Sequence, residues 1–237
     1  MPAMRQLSTG TCQSVQPLRE KLWLSLAILI WAAAIGLSWR MVLDYEFSGE
    51  PTNPEAVSAW WPSGTGLTLV RDRPTVVFFL HPKCPCTRAS LAEFERLWVL
   101  RDERVAQRSP QLIVVATVPP GASADWLTTD TIDRATRLPG ATLVIDPEGR
   151  EAHRFGATTS GTVMWFDAQG QRLYAGGITA SRGQEGDNFG LACLEELLRG
   201  STRPASGIPV LGCRLCLPTI ESPVSNFAGE RESLLLP

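Results

Sequence analysis

The chain is nearly without lysine. Of its 22 cationic residues 20 are arginine, and only Lys21 and Lys83 are lysine. The bias looks like genome composition, yet one of the two lysines sits directly beside a cysteine. No block of basic residues occurs and the formal net charge is −2, so nothing invites nucleic acid. Charge is sparse at 19% while hydrophobic residues reach 44%, which excludes a disordered chain and leaves enough apolar material for a packed core. There are only two histidines, His81 and His153, and no internal repeat. At 237 residues the expectation is one domain plus attachments.

One long hydrophobic run is present. Residues 22–39, LWLSLAILIWAAAIGLSW, carry no charge, close to the ~20 residues a helix needs to cross a bilayer. Arg5, Arg19 and Lys21 precede the run, whereas Asp44, Glu46 and Glu50 follow it. The positive-inside bias puts residues 1–21 in the cytoplasm and the main domain outside, periplasmic or otherwise extracytoplasmic. Trp23 and Trp39 fall at the two ends, where aromatic belts sit. The run exceeds the ~7 to 15 residues of a signal-peptide core, and SWRMVLDYEF offers no small-residue cleavage site. The expectation is a single-pass anchor.

An oxidising space outside the membrane makes the cysteines informative. Cys12 falls on the cytoplasmic side, which leaves Cys84, Cys86, Cys193, Cys213 and Cys216 outside. Five is odd, so at least one thiol is unpaired or pairs with another molecule.

Residues 40–66 read as a tether with proline and glycine punctuation, Trp60 and Trp61 packing against the domain edge. Residues 67–200 then alternate. LTLV and TVVFFL are short apolar runs rich in β-branched and aromatic residues, the second buried on both faces. Residues 87–105 have helical spacing, with Leu91, Phe94, Trp98 and Val105 along one stripe and a capping-box spacing from Ser90 to Glu93. LIVVATV predicts a buried strand, ADWLTTDTIDRATRL a helix, and ATLVID a strand that turns at PEG. TVMWFDAQGQRLYAGGI predicts two strands around an Ala-Gln-Gly turn, and Asp187 caps a last helix ending at Gly200. The order β-α-β-α-β-β-α implies a central sheet with helices on its faces. Residues 201–237 lack periodicity and form a tail rich in proline and glycine, with its own Cys-x-x-Cys at Cys213 and Cys216.

FLHPKCPCTRASLAEFERL runs a strand into a cysteine turn that opens a helix. This resembles the thioredoxin superfamily, and within it the membrane-anchored extracytoplasmic thioredoxin-like proteins, over roughly residues 65 to 200. The resemblance implies an α/β, thioredoxin-like three-layer fold: a central mixed sheet flanked by helices. It also puts Cys84 at the position of the attacking cysteine. The motif is atypical, Cys-Pro-Cys-Thr, so Thr87 stands where the family has its resolving cysteine. In TTSGTVMWF, Gly161 stands where the family has a cis-proline facing the active cysteine.

The chemistry open to these residues follows from their places. A cysteine at a helix N-terminus has its thiolate stabilised by free N–H groups and the helix dipole, and Lys83 and a protonated His81 would add to that. Cys86 would resolve a mixed disulfide through a strained, easily reduced Cys84–Cys86 bridge. Thr87 caps the helix or donates a hydrogen bond to the Cys84 thiolate. His153 reads as a surface residue and Cys193, among leucines, as an inert core thiol. Cys213 and Cys216 read as a stabilising disulfide or as a second redox pair carried to Cys84 by the tail.

Three functions compete. The first is a membrane-anchored thiol-disulfide oxidoreductase acting on protein thiols or disulfides through Cys84, with Cys86 or the tail pair as resolving thiols and no cofactor. The second is a copper metallochaperone for a respiratory oxidase, with Cys84, Cys86 and His81 as soft ligands for Cu(I). The third is a non-catalytic binding module on a thioredoxin fold, motivated by Thr87 and Gly161.

Overall fold

The computed structural model describes residues 16–47, 58–99 and 109–215. Cys12, Val105 and Cys216 lie outside the described residues. The chain divides into two compact units, residues 1–46 and 47–237.

The first unit holds helix α1, Gln16–Phe47. Its segment Arg19–Phe47 has a mean hydropathy of 1.9 over its most apolar window, none of which is buried. By length and composition this helix can cross a membrane. At about 1.5 Å per residue its 29 residues exceed a hydrocarbon layer of ~30 Å.

The second unit is built on β1, Thr75–Leu80, where TVVFFL is buried at every position. β-branched and aromatic residues favour the pleated conformation, and burial on both faces removes the alternation of a half-exposed strand. β2, Gln111–Val118, and β3, Ala141–Pro147, continue the sheet in parallel on one side. β4, Thr162–Phe166, and β5, Arg172–Gly176, continue it antiparallel on the other. The order is β3-β2-β1-β4-β5. Asp167 closes the β4–β5 hairpin, its Oδ1 accepting from the N–H groups of Gln169 (2.9 Å) and Gln171 (2.8 Å).

Successive residues of β1 feed two cores. Val76, Phe78 and Leu80 pack with Leu91, Phe94, Leu97 and Trp98 of α2 (Pro85–Val99), with α3 (Asp130–Arg137) and with α5 (Phe189–Leu198). Val77 and Phe79 face Ala152 and Phe155 of α4 (Arg150–Phe155). Helices on both faces of a mixed sheet give the thioredoxin-like three-layer arrangement expected from the sequence.

Several local expectations are corrected. LTLV is not a strand: Leu67 is buried and Leu69 partly buried against the α4 side, while Leu67 N–H donates to Thr65 Oγ1 (3.0 Å) instead of joining a ladder. Ser90 lies inside α2, which starts at Pro85, so Ser90 and Glu93 form no capping box. The ADWLTTDTIDRATRL segment begins as turns, and α3 starts only at Asp130, where Thr129 accepts from Ile132 N–H (3.3 Å). α4 follows the PEG turn directly, its start fixed by the Asp146 carboxylate accepting from Glu151 N–H (2.9 Å) and Ala152 N–H (3.0 Å). Asn188, not Asp187, caps α5, accepting from Leu191 N–H (2.9 Å); Asp187 pairs with Arg96 at 3.3 Å. Trp61 packs edge-on against Phe155 and Phe166, whereas Trp60 is exposed.

The largest difference concerns residues 201–215, expected as an aperiodic tail. They lie along the domain as a strap: Gly177 bridges Ile208 and Thr159 bridges Arg214, both antiparallel. Val210, Leu211 and Leu215 are buried, Leu215 in the same cluster as Phe79 and Phe155. Burying such side chains is worth about 1.5–3 kcal/mol each, so apolar anchors in single file replace the periodicity a helix or strand would need.

Candidate thiol site

The site lies where β1 ends and α2 begins. β1 stops at Leu80, and the turn His81-Pro82-Lys83 is closed by Cys84 N–H donating to His81 O (3.0 Å). Pro85 occupies the first helical position, where its missing N–H costs nothing and its fixed φ suits the helix. Cys84 is therefore the residue just before the helix, the place at which a side-chain acceptor meets free N–H groups.

Cys84 is 1% exposed, and its sulfur is surrounded by donors. Cys213 N–H points at Sγ from 3.4 Å. The polar groups of Thr87 and the Cys213 thiol are its other polar neighbours. Burial alone pushes the thiol pKa up, but these donors outweigh it and hold Cys84 below its ordinary value of 9.0, the Thr87 hydroxyl contributing most. Cys213 moves the other way. Burial, its own hydrogen bond to Cys84 and the adjacent negative charge push it up to about 12. In this pair Cys84 is the more acidic thiol and Cys213 the less acidic.

The remaining candidates fall into place around the pair. Thr87 is in the first turn of α2 and 0% exposed, its hydroxyl 2.6 Å from Ser160 Oγ; it lies past the helix start and so is not the cap, and its polar groups lower the Cys84 pKa. Cys86 is half-buried in the same turn, pushed up by burial and by the Cys84 charge and partly offset by the Arg182 guanidinium. His81 stacks edge-on against Trp126, with ring centres 4.9 Å apart, and its Nδ1 accepts from Lys83 N–H (3.2 Å). Burial lowers its pKa below 6.5, so the imidazole is neutral at pH 7 and adds no positive charge. Lys83 does not reach Cys84 either, because its Nζ pairs with Asp125 at 3.0 Å and sits 5.2 Å above the Trp126 ring. The expectation that Lys83 and His81 stabilise the thiolate is thus replaced by neutral donors from Thr87 and Cys213. His153 is exposed, and Cys193 is buried in the core with α5.

Gly161 sits opposite Cys84's helix with φ +100°, a left-handed conformation that glycine adopts freely. A Cβ there would lie 3.2 Å from Ser90 Oγ, so the loop approaches α2 closely. Gly161 N–H donates to Phe79 O (2.9 Å), tying the loop to β1.

Two residues of the site escaped sequence reasoning. Ser160, 1% exposed, accepts from His81 N–H (2.7 Å), meets Thr87 Oγ1, and donates its own N–H to Cys213 O (2.8 Å). It joins the end of β1, the start of α2 and the strap. Arg182 donates through Nη1 to Gly212 O (3.0 Å) and engages Cys86. A lone serine and a lone arginine carry no local signal of such roles. Among the described residues no group of three or more His, Cys, Asp or Glu side chains is gathered as a metal set.

Solved structures were compared on this geometry. A conserved protein from Geobacillus kaustophilus, titled uncharacterized, matches with TM-score 0.51 and 19% identity, covering 73% of this chain and 94% of its own. The exposed lipoprotein thioredoxin of Streptococcus pneumoniae matches with TM-score 0.37 and 13% identity over 66% of this chain and 99% of its own. The N-terminal domain of PilB from Neisseria gonorrhoeae matches with TM-score 0.36 and 19% identity over 56% and 79%. No protein-family model matches the sequence, and no curated protein does. At such identities likeness extends to the fold alone, and that fold, on the chain's own sheet order and layers, is thioredoxin-like.

Proposed function

We propose that the protein is a thiol-disulfide oxidoreductase, held at the cytoplasmic membrane by α1 with its thioredoxin-like domain on the outer side and Cys84 as its nucleophile. The observation that supports this most is the Cys213 N–H aimed at the Cys84 sulfur from 3.4 Å at the start of α2, with Thr87 beside it lowering the thiol pKa. A thiolate is the attacking form, and a depressed pKa keeps it available near neutral pH. Cys84 attacks one sulfur of a substrate disulfide. The substrate S–S bond breaks, a Cys84–substrate bond forms, and the departing thiolate takes a proton. Substrates are protein thiols or disulfides, and no cofactor enters the chemistry. The charge asymmetry around residues 22–39 supports the outer placement of the domain.

The test is catalysis by the full chain in detergent: reduction of a protein disulfide, with dithiothreitol as electron source. Cys84→Ser should abolish turnover with the fold intact by circular dichroism. Undiminished turnover would refute the nucleophile and favour a non-catalytic binding module. The copper reading has less support, since Cys84, Cys86 and His81 form no gathered set and His81 Nδ1 already accepts a backbone N–H.

A further inference from the structure

The strap that carries Cys213 is held in place from several sides. Ser160 N–H donates to Cys213 O and Leu215 N–H to Thr158 O, each at 2.8 Å. Arg182 fastens Gly212 O at 3.0 Å. Gly212 lies so close to residue 160 that a Cβ would sit 1.9 Å from Ser160 O, which only glycine tolerates without displacement. These contacts put Cys213 against Cys84, its N–H 3.4 Å from Cys84 Sγ. Cys86 is placed differently. It is already in the first turn of α2, separated from Cys84 only by Pro85, whose ring fixes its own φ. A Cys84–Cys86 bridge would have to close across that short, stiff link, whereas Cys213 arrives from a separate segment with no such constraint.

We propose that Cys213, not Cys86, resolves the mixed disulfide on Cys84, and that the 207–215 strap is the arm that delivers it. This rests on the oxidoreductase reading above. The Cys213 thiol gives up its proton and its sulfur attacks Cys84 Sγ. The Cys84–substrate bond breaks, a Cys84–Cys213 disulfide forms, and the substrate sulfur leaves as a thiol with that proton. Over the two steps the substrate disulfide gains two electrons from Cys84 and Cys213 and two protons, one from Cys213 and one from solvent. A thiol reductant of low molecular weight, or a protein dithiol, returns the pair to its reduced state. Burial, the main cause of the raised Cys213 pKa, persists through the reaction, but once Cys84 is bonded to substrate the part due to Cys84 itself is relieved as the Cys213 thiolate is needed. Arg182 acts as a positioning residue, through Gly212.

The experiment treats the reduced full chain in detergent with oxidised glutathione, quenches with acid and maps cysteine linkages by mass spectrometry. Wild type and Cys86→Ser should both accumulate a Cys84–Cys213 disulfide. Cys213→Ser should instead trap glutathione on Cys84. Arg182→Gln should slow closure of the disulfide at least several-fold, and by more than it slows the first attack. A Cys84–Cys86 disulfide in wild type, or unimpaired glutathione release from Cys213→Ser, would overturn the proposal and leave the oxidoreductase reading standing. Failure of Cys84 to take up glutathione in any variant would overturn both.

Discussion

At the residue scale, neutral polar neighbours, not ionic partners, set the acidity of Cys84, the proposed nucleophile. Hydrogen bonds to a charged group are worth about 1.5–3 kcal/mol, or roughly one to two pKa units at 1.36 kcal/mol each. Thr87→Val, which keeps the shape and removes the hydroxyl, should raise the Cys84 pKa toward 9.0. Because the thiolate fraction below the pKa falls about tenfold per unit, the variant should react ten- to a hundredfold more slowly with a disulfide reagent near neutral pH. The deficit should shrink as pH rises past the variant's pKa; a deficit that is constant with pH would mean the hydroxyl does something else. Ser160→Ala should leave His81 N–H without its acceptor and should cost about 1–3 kcal/mol of stability, read as a lowered urea midpoint. Cys84 was legible in the sequence because a cysteine between an apolar strand and a helical pattern has one place to go. Lys83 was misread because adjacency along the chain is not adjacency in space: its side chain leaves the turn toward Asp125 and Trp126. Ser160 and Arg182 were invisible because the contacts that join them to the site, with His81, Thr87 and Gly212, are with residues distant in sequence.

At the element scale, the strap is what distinguishes this molecule from a bare sheet with helices. Its residues pair with the 158–160 segment and with the end of β5, and it covers Cys84. Covering and activation have one source, since displacing the strap removes both the shield and the Cys213 donors. Gly212→Ala should therefore push the strap off through the clash with Ser160 O, increasing labelling of Cys84 by a bulky maleimide at high pH, where the thiolate is present regardless. The same variant should need a higher pH for half-maximal reactivity. Unchanged accessibility would show that the strap does not gate the site. β1 and its two cores were legible from composition alone, whereas α4 was not, since six residues are too few to show a period. The strap was not legible either, because single apolar residues separated by glycine and proline give neither a period of two nor of 3.6. β1 also bears the fold. Phe78→Ala, in the core with Phe94 at 4.8 Å between ring centres, should cost about 3–5 kcal/mol, measured by thermal unfolding with the site chemistry otherwise intact.

At the scale of the whole molecule, a helix of membrane-crossing length and a thiol domain are separate units. In the proposed topology the anchor keeps the domain where disulfides persist, and a membrane-impermeant maleimide added to reduced intact cells should reach half-buried Cys86 while sparing Cys12. Labelling of Cys12 instead would reverse the orientation. The fold class was readable from the alternation of strands and helices, because both faces of β1 demand cover. What the pattern could not supply was the route of the chain after α5, which decides which second thiol stands beside the first. The central claim, that its polar neighbours make Cys84 more acidic than an ordinary thiol in this fold, is tested most directly by titrating thiolate ultraviolet absorbance of the reduced full chain against that of Cys84→Ser. The difference curve should show one step with its midpoint below 9.0. A difference step at or above that value would contradict the account.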